Sequence, residues 1–174
     1  MISATLFTRL ADRDRALFAR CLVDPTASRH RRLFWTIVTH LGGVSCSVLA
    51  ATLPLLAGGA LADAARQTLA MLVFSHLVVQ VVKRTVSRPR PSNALDCVTL
   101  VVEPDRFSFP SGHSTAAMAV AFGYATAFPS LAAPLVAIAF LVGASRVFLG
   151  VHYPGDVLVG QLIAVLTGVA WHLT

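Results

Sequence analysis

The sequence is short of charged residues. Asp, Glu, Lys and Arg make up 13% of its 174 residues, whereas hydrophobic residues make up 56% and the mean hydropathy is +0.72. A soluble domain has about 25% charged residues. This composition excludes an ordinary soluble domain, and several separate apolar runs indicate an integral membrane protein. The net charge of +6 therefore does not indicate nucleic-acid binding, because the basic residues flank apolar runs and no soluble fold remains to carry such a site.

Cysteine is also scarce, and an apolar N-terminal segment is lacking. The three cysteines, Cys21, Cys46 and Cys97, form no CxxC pair and have no metal-ligand spacing, so we expect unpaired thiols and no metal site. Residues 1–23 carry charges throughout and contain no apolar core of a signal peptide, so no cleavable signal is expected. No internal repeat is evident, and the length allows one domain, residues 1–174.

The apolar runs predict an all-α integral membrane helical bundle. The first run is long enough to cross a hydrocarbon core of ~30 Å. The five predicted membrane helices cover residues 33–57, 67–83, 114–128, 131–149 and 156–173. Two polar segments, residues 84–113 and 150–155, follow the second and fourth of these helices, so both lie at the same face of the membrane. A connection as long as the first is usually functional or disordered.

Residues 1–24 differ from the spans because they are amphipathic. Their apolar residues recur near helical spacing, which places them on one face of a helix: Leu6, Phe7, Leu10, Leu17, Phe18, Cys21 and Leu22. Charged residues take the other face, so we predict an interfacial helix packed beside the bundle. A cytosolic helix without membrane contact and a membrane-crossing segment remain alternatives.

Several residues interrupt the first two spans. Gly42 and Gly43 predict close contact with another helix. Ionisable groups inside a membrane suggest function. For His40, His76 and their neighbour Gln80, however, we favour neutral side chains hydrogen-bonded to a neighbouring helix.

Three clusters of polar residues lie at the loop face. In the first, Lys83 ends a span and Arg90 stands between two prolines; alone, this pattern is also typical of ordinary positive flanking. The second is Pro110-Ser111-Gly112-His113, where Ser111 is a predicted N-cap. A helix N-terminus presents unpaired N–H groups and partial positive charge, which suit a phosphate.

The third cluster is Ser145-Arg146 followed by His152 and Asp156. Arg146 lies inside an apolar helix near its end, which is costly unless the guanidinium is paired or reaches a polar site. We place His152 in a loop and Asp156 in the first turn of the next helix, because Pro154 suits a first helical position. The carboxylate can then accept one ring N–H of His152 and leave the other nitrogen facing the pocket.

Together, the three clusters predict a site for phosphoryl transfer. Lys83, Arg90 and Arg146 supply fixed positive charge for phosphoryl oxygens. Backbone N–H groups at Ser111 and Gly112 add neutral donors. Two histidines supply a nucleophile and an acid, and a carboxylate orients one of them.

The order and spacing of these clusters resemble the signature motifs of the type 2 phosphatidic acid phosphatase superfamily, which also includes vanadium haloperoxidases. The matching motifs are Lys83-x6-Arg90-Pro91, Pro110-Ser111-Gly112-His113 and Ser145-Arg146-x5-His152-x3-Asp156. The resemblance implies a metal-independent lipid phosphatase with a helical bundle fold and no cofactor. It also implies that His152 attacks phosphorus and forms a phosphohistidine, that Asp156 orients His152, and that His113 protonates the leaving group. The implied phosphate-binding residues are Lys83, Arg90, Ser111, Gly112 and Arg146, with a supporting role for Ser145.

The expected substrate is a membrane lipid phosphate or diphosphate: phosphatidate, phosphatidylglycerol phosphate, or a polyprenyl phosphate or diphosphate. A lipid tail can reach the site laterally between helices. Residues 92–109 are predicted to shape the choice of headgroup, with Asp96, Glu103 and Asp105 adding negative charge near the mouth of the site. Transfer of a phosphoryl or head group between lipids and a non-enzymatic lipid-binding role are the alternatives, and the apolar spans argue against a haloperoxidase. The oligomeric state stays open.

The basic residues predict an orientation in a bacterial-type inner membrane. Of 14 Lys and Arg residues, only Arg66 lies at the face opposite the site. The positive-inside rule therefore places the N-terminus and the active site at the cytoplasmic face. The resemblance favours the other face, because many bacterial members of the superfamily act there.

Overall fold

The computed structural model describes residues 2–95 and 97–173, with side chains from residue 8 onward, so the side chains of Leu6 and Phe7 lie outside it. Within these residues the chain is helical. Its helices are α1 (Ile2–Cys21), α2 (Arg29–His40), α3 (Val44–Thr52), α4 (Gly59–Val86), α5 (Pro91–Leu95), α6 (Gly112–Ala127), α7 (Ala132–Phe148) and α8 (Pro154–Leu173). Short 3₁₀ turns follow α3 at Leu53–Ala57 and precede α7 at Pro129–Leu131.

Helix α6 lies at the centre and packs against α4, α7 and α8. Its buried positions are mostly small residues, including Ser114, Ala117, Ala121 and Gly123. Small side chains allow helix backbones to approach closely. A Cβ atom added to Gly160 of α8 would lie only 2.6 Å from the Ser111 carbonyl oxygen. This packing holds the N-terminus of α6 against the helix that begins near Asp156.

The described residues contain three helices long and apolar enough to cross a membrane: α4, α8, and α7 with its preceding turn. The α2–α3 pair makes a fourth candidate. Helix α6 has 16 residues, about 24 Å at a rise of 1.5 Å per residue, and is shorter than a hydrocarbon core. The predicted all-α membrane protein is confirmed at this level, whereas the count of five spans stays a prediction.

The span predicted over residues 33–57 is not one straight helix. Helix α2 ends at His40 and α3 begins at Val44, with a bend of 46° between them. A Cβ atom on Gly42 would lie 2.7 Å from the His113 carbonyl oxygen and 2.5 Å from Val142 Cγ1. The predicted close contact at Gly42 is therefore confirmed. The bend was not predicted, and it lies at the point where the chain approaches α6.

Two other predicted boundaries change. Helix α4 begins at Gly59 and ends at Val86, so it exceeds residues 67–83 at both ends; Asp63 and Arg66 form an ion pair on its first turns instead of lying in a loop. The segment 84–113 includes the short helix α5 and an antiparallel bridge between Pro89 and Phe107. Helices α6, α7 and α8 cover residues 114–128, 131–149 and 156–173 to within two residues at each end.

Helix α1 packs against α7 and α8 at the end that carries residues 149–153. Phe18 is buried and meets the Tyr153 ring edge-on at 5.4 Å between centroids, whereas Leu10 and Leu17 are half exposed. The Val23 backbone N–H donates to the Phe148 carbonyl at 2.9 Å. The helix is thus attached to the bundle, and its predicted location in the membrane interface stays a prediction.

Candidate active site

The three polar clusters meet at one end of the bundle. The Ser111 N–H donates to the Asp156 carbonyl at 3.0 Å, which joins the second cluster to the third. Arg90 Nη1 donates to the Val151 carbonyl at 2.8 Å, which joins the first to the third. Residues far apart in the sequence therefore surround a single point, as the motif spacing predicts.

His152 lies in the loop between α7 and α8 and is 1% exposed. Its backbone N–H donates to the Arg146 carbonyl at 3.2 Å. Its Nδ1 is 3.6 Å from Asp156 Oδ2, and its Nε2 is 3.4 Å from Arg90 Nη1. Because Arg90 can only donate, Nε2 is an acceptor in this arrangement and Nδ1 carries the proton. The lone pair that can attack phosphorus is therefore on Nε2.

The protonation state of His152 fits a nucleophile. Burial lowers the pKa of His152 to about 4, with the help of Arg146 and Arg90 and against the opposing effect of Asp156. Burial disfavours the charged form of an imidazole, and neighbouring cations do the same. The ring is thus neutral at pH 7, as a nitrogen nucleophile requires.

Asp156 lies in the first turn of α8, as predicted, and its carboxylate is fully buried. Oδ2 accepts from the Tyr153 N–H at 2.9 Å and from the Ser108 hydroxyl. Oδ1 accepts from Arg88 Nη1 at 2.7 Å. Hydrogen bonds to both oxygens hold the carboxylate in one orientation beside His152.

Sequence reasoning missed Ser108 and Arg88. The flanking prolines single out Arg90, whereas Arg88 is one of the six unspecified positions between Lys83 and Arg90 in the motif. The sequence does offer one signal for Arg88. It is a basic residue next to Pro89, and it lies inside the motif that already contributes Lys83 and Arg90 to the site. Ser108, between two phenylalanines, gives no signal in a single sequence.

Lys83 and Arg90 share a carboxylate partner, Asp105. Lys83 Nζ donates to Asp105 Oδ1 and Oδ2 at 3.0 and 2.9 Å, and Arg90 Nη2 donates to Oδ1 at 2.9 Å. Burial acts to raise the pKa of Asp105, but Lys83 and Arg90 outweigh it and lower that pKa. The Asp105 side chain is 39% exposed, so it lies at the mouth of the site, as predicted, while its carboxylate reaches the two buried cations. One ionised carboxylate therefore neutralises part of the charge of two cations.

Arg146 is buried at 1% exposure but has a different environment. Its Nη1 donates to the Thr39 hydroxyl at 2.6 Å, while Nε and Nη2 have no hydrogen-bond partner among the described residues. A buried charged group without partners is unfavourable. The free guanidinium nitrogens fit an anion such as a phosphoryl group, which guanidinium binds through two parallel hydrogen bonds. Thr39 comes from α2, which sequence reasoning did not assign to the site.

The N-terminus of α6 forms another side of the site. Ser111 is the N-cap residue, and its hydroxyl accepts from the Ser114 hydroxyl at 2.9 Å. The Ser111 N–H donates to the Asp156 carbonyl, so the predicted role of Ser111 in phosphate binding stays a prediction. The first intrahelical bond runs from Thr115 N to Ser111 O, so the N–H groups of Gly112 and His113 precede the helical ladder. These two amides are the donors suited to an anion.

A cavity of about 480 Å³ runs along α4 from Leu69 to Lys83. Its polar end contains Lys83, Asp105, Gly112, His113 and His152. Apolar side chains line the rest, namely Val44, Val48, Leu69, Leu72, Val73 and Leu77. This volume is typical of small-molecule sites, and the distribution of its lining suits an amphipathic ligand.

His76 and Gln80 also line this cavity. Their ring and amide nitrogens are 3.1 Å apart, so His76 interacts within α4 rather than with a neighbouring helix, contrary to the prediction. The i, i+4 spacing brings the two side chains to one face of α4. Their polar atoms lie in the cavity between its apolar part and Lys83. His40 is exposed.

Curated relatives share part of this chain. A lipid A 1-phosphatase of Rhizobium johnstonii is 38% identical over 94 residues, covering 51% of this chain and 38% of that protein. A decaprenylphosphoryl-5-phosphoribose phosphatase of Mycolicibacterium smegmatis is 38% identical over 130 residues, covering 71% of this chain and 67% of that protein. The chain thus spans about two fifths of the lipid A 1-phosphatase that it matches.

Solved structures and a family model agree with these matches. LpxE of Aquifex aeolicus superposes with a TM-score of 0.78 at 25% identity, covering 91% of this chain and 94% of that one. A transmembrane PAP2 type phosphatidylglycerolphosphate phosphatase from Bacillus subtilis gives 0.75 at 26% identity, covering 94% and 85%. The model of the PAP2 superfamily matches residues 64–174, more than half of the sequence and all three polar clusters. The chain therefore belongs to the PAP2 superfamily.

Proposed function

We propose that this protein is a metal-independent phosphatase that hydrolyses a membrane lipid phosphate or diphosphate. The observation that carries the proposal is the cavity whose apolar lining along α4 leads to His113 and His152. An apolar tail can occupy the part near Leu69, while the phosphate lies among the cations near Lys83. The named activities of the relatives, which act on lipid A, polyprenyl and phosphatidylglycerol phosphates, support the same class of substrate.

In the first step, Nε2 of His152 attacks phosphorus. A nitrogen–phosphorus bond forms, the phosphorus–oxygen bond to the lipid breaks, and the leaving oxygen takes a proton from His113 in its imidazolium form, which leaves that ring neutral. Water then attacks the phosphohistidine and gives its proton to His113, and the nitrogen–phosphorus bond breaks to release phosphate. Asp156 keeps Nδ1 protonated and stabilises positive charge on the ring during attack.

The phosphoryl oxygens are bound by cations and amides. Arg146 offers the two nitrogens that have no partner among the described residues, and the Gly112 N–H lies at the helix N-terminus. Lys83 and Arg90 can bind substrate by exchanging Asp105 for phosphoryl oxygens, because an anion carries the same acceptor chemistry as the carboxylate. Charge stabilisation of this kind provides most of the catalysis in phosphoryl transfer. Ser111 contributes by capping α6, not through its N–H.

The decisive experiment is His152→Ala in purified protein, assayed for phosphate release from phosphatidate, phosphatidylglycerol phosphate and undecaprenyl diphosphate in detergent with EDTA. We expect less than about 1% of wild-type activity, because the covalent route is lost. Wild type quenched in alkaline SDS should carry ³²P from labelled substrate that is stable in base and released by acid, and His152→Ala should not. His30→Ala, at an exposed histidine, is the matched control. Phosphate appearing on a second lipid would identify the transferase alternative, and activity of His152→Ala above a few per cent would contradict the nucleophile assignment.

For topology, we propose one domain over residues 1–174 with five crossings, α6 being the short central one, and α1 in the interface. The active site faces the cytoplasm of a bacterial inner membrane, in line with the basic residues around it. Asn93 is exposed at this end and can report the face. After Cys21, Cys46 and Cys97 are replaced, Asn93→Cys should resist an impermeant thiol reagent in intact cells and react after lysis. Labelling in intact cells would place the site outside.

A further inference from the structure

Arg88 lies between two carboxylates that belong to different helices. Its Nη1 is 2.7 Å from Asp156 Oδ1, and its Nη2 is 2.9 Å from Asp14 Oδ2 of α1. Its Cζ atom lies 3.9 Å from the centroid of the Tyr153 ring, in a cation–π contact. The Asp156 side chain is fully buried, and those of Arg88 and Asp14 are 22% and 14% exposed. The guanidinium is thus fixed on three sides.

Asp14 also contacts the start of α8 directly. Its Oδ1 accepts from the Gly155 N–H at 2.7 Å. This N–H belongs to the first turn of α8, where a carboxylate satisfies an unpaired donor and complements the helix dipole. A Cβ atom on residue 155 would lie 2.9 Å from Asp14 Oδ2, so glycine leaves the space that Asp14 occupies. One turn further along α1, Phe18 packs against Tyr153.

These contacts converge on the carboxylate that orients His152. Asp156 is buried, and Arg88 is its cationic hydrogen-bond donor. Removing one partner of a buried charge pair leaves the other charge uncompensated. Without Arg88, the Asp156 carboxylate loses the bond to Oδ1 and keeps the bonds to Oδ2 from Ser108 and Tyr153. Without Asp14, Arg88 loses the group that orients it.

We propose that α1 is a working part of the active site, in which Asp14 and Arg88 are positioning residues that hold Asp156, and through it His152, for attack on phosphorus. This rests on the proposed phosphatase function. Neither residue touches substrate in this scheme, and both act through Asp156. At metal sites, removal of a residue that orients a metal ligand typically lowers metal affinity or activity by about 10–100-fold. We expect the same scale for residues that orient the Asp156 carboxylate.

The kinetic test uses five variants of the full chain, measured per folded molecule. We expect Arg88→Met to lower kcat about 100-fold and Asp14→Asn about tenfold, with KM changed less than about threefold, because positioning acts on the chemical step. Arg88→Lys should recover part of the lost kcat, since lysine keeps the positive charge but cannot donate to Asp14 and Asp156 from two nitrogens of one planar group. The double variant should be no slower than Arg88→Met, because both substitutions break one chain of contacts. Asp12→Asn, at an exposed carboxylate of the same helix, should equal wild type.

The second readout needs no substrate. The charged or titratable groups that face His152 are Asp156 from α8, Arg146 from α7, His113 from α6 and Arg90. Loss of the Arg88 cation leaves the negative charge of Asp156 uncompensated, so Arg88→Met should raise the pKa of His152 above its wild-type value. Titration of ¹⁵N-labelled histidines by NMR in detergent, with His152→Gln to assign the signal, measures this shift.

The outcomes separate the two claims. If wild type hydrolyses no lipid phosphate while Arg88→Met still moves the His152 titration, the proposed function fails and the contact chain stands. The inference is overturned if the His152 titration does not move, if Asp14→Asn keeps wild-type kcat in an active enzyme, or if Asp12→Asn is as slow as Asp14→Asn. Additive losses in the double variant would likewise show that Asp14 does not act through Arg88.

Discussion

Residues 2–57 and residues 59–173 contribute to the active site in different ways. The second region carries all the motif residues and forms the compact set of helices around α6. The first region is broken into α1, α2 and α3, yet it meets the site at Asp14, Thr39 and Gly42. Each contact reaches a different motif: Asp14 binds Arg88, Thr39 binds Arg146, and Gly42 packs on the His113 backbone. The reacting groups thus come from one region, and their geometry depends on both.

Arg90 and Arg146 differ in which of the two regions supplies their hydrogen-bond partners. Arg90 is surrounded by groups of its own region, Asp105 and Val151. Arg146 has a hydroxyl of the first region as its hydrogen-bond partner and keeps two nitrogens free among the described residues. A cation already paired with a carboxylate must release it before binding phosphate, whereas a cation held by a neutral hydroxyl need not. Arg146 is therefore the cation best prepared for substrate.

Replacing Arg146 gives the largest expected effect in this comparison. Arg146→Met should lower kcat/KM about 1,000-fold, because a guanidinium that meets the transferred phosphoryl group contributes on that scale. Arg146→Lys should remain at least about tenfold below wild type, since an ammonium is a point charge without the planar fork. Initial rates on a lipid phosphate across substrate concentrations measure both. A smaller loss than that of Arg90→Met would contradict the ranking of the two arginines.

The second region could be predicted from the sequence far better than the first. Residue types and spacings mark Lys83, His113 and His152, and apolar runs mark α4, α7 and α8, because these signals are local. Asp14 and Thr39 act through contacts across the bundle, and an aspartate on an amphipathic helix or a threonine in an apolar run looks like any other. Asp105 was visible as an acidic residue near the mouth, but its bonds to two cations depend on how residues 84–113 fold back.

Gly42 tests the packing of the two regions without altering a polar group. A Cβ atom in Gly42→Ala would meet the His113 carbonyl and Val142, so α6 and the α2–α3 bend must separate. Overpacking of this kind costs about 1–3 kcal/mol of stability. A small displacement of His113 should lower kcat by about 10–100-fold. Thermal unfolding in detergent and steady-state kinetics measure the two effects.

The adjacent glycine is the matched control. In Gly43→Ala, the added Cβ is 3.1 Å from the His40 carbonyl, within the same bend, and 3.8 Å from the His113 ring. A contact of 3.1 Å requires a shift of only a few tenths of an ångström. Gly43→Ala should therefore lose less activity and less stability than Gly42→Ala. Equal losses would mean that the bend itself, not its contact with α6, is sensitive.

Thr39 gives the smallest expected effect and isolates one hydrogen bond between the regions. Thr39→Val keeps the shape of the side chain and removes the hydroxyl that accepts from Arg146 Nη1. A hydrogen bond to a charged group contributes about 1.5–3 kcal/mol, but a bound phosphoryl group can take over part of this role. We therefore expect about a tenfold rise in KM with kcat nearly unchanged, and recovery in Thr39→Ser. Thr36→Val, one turn earlier and bonded to the Arg32 carbonyl, should have no such effect. If kcat falls instead while KM stays constant, Thr39 positions Arg146 for the transition state, and the first region contributes to the chemical step through α2 as well as through α1.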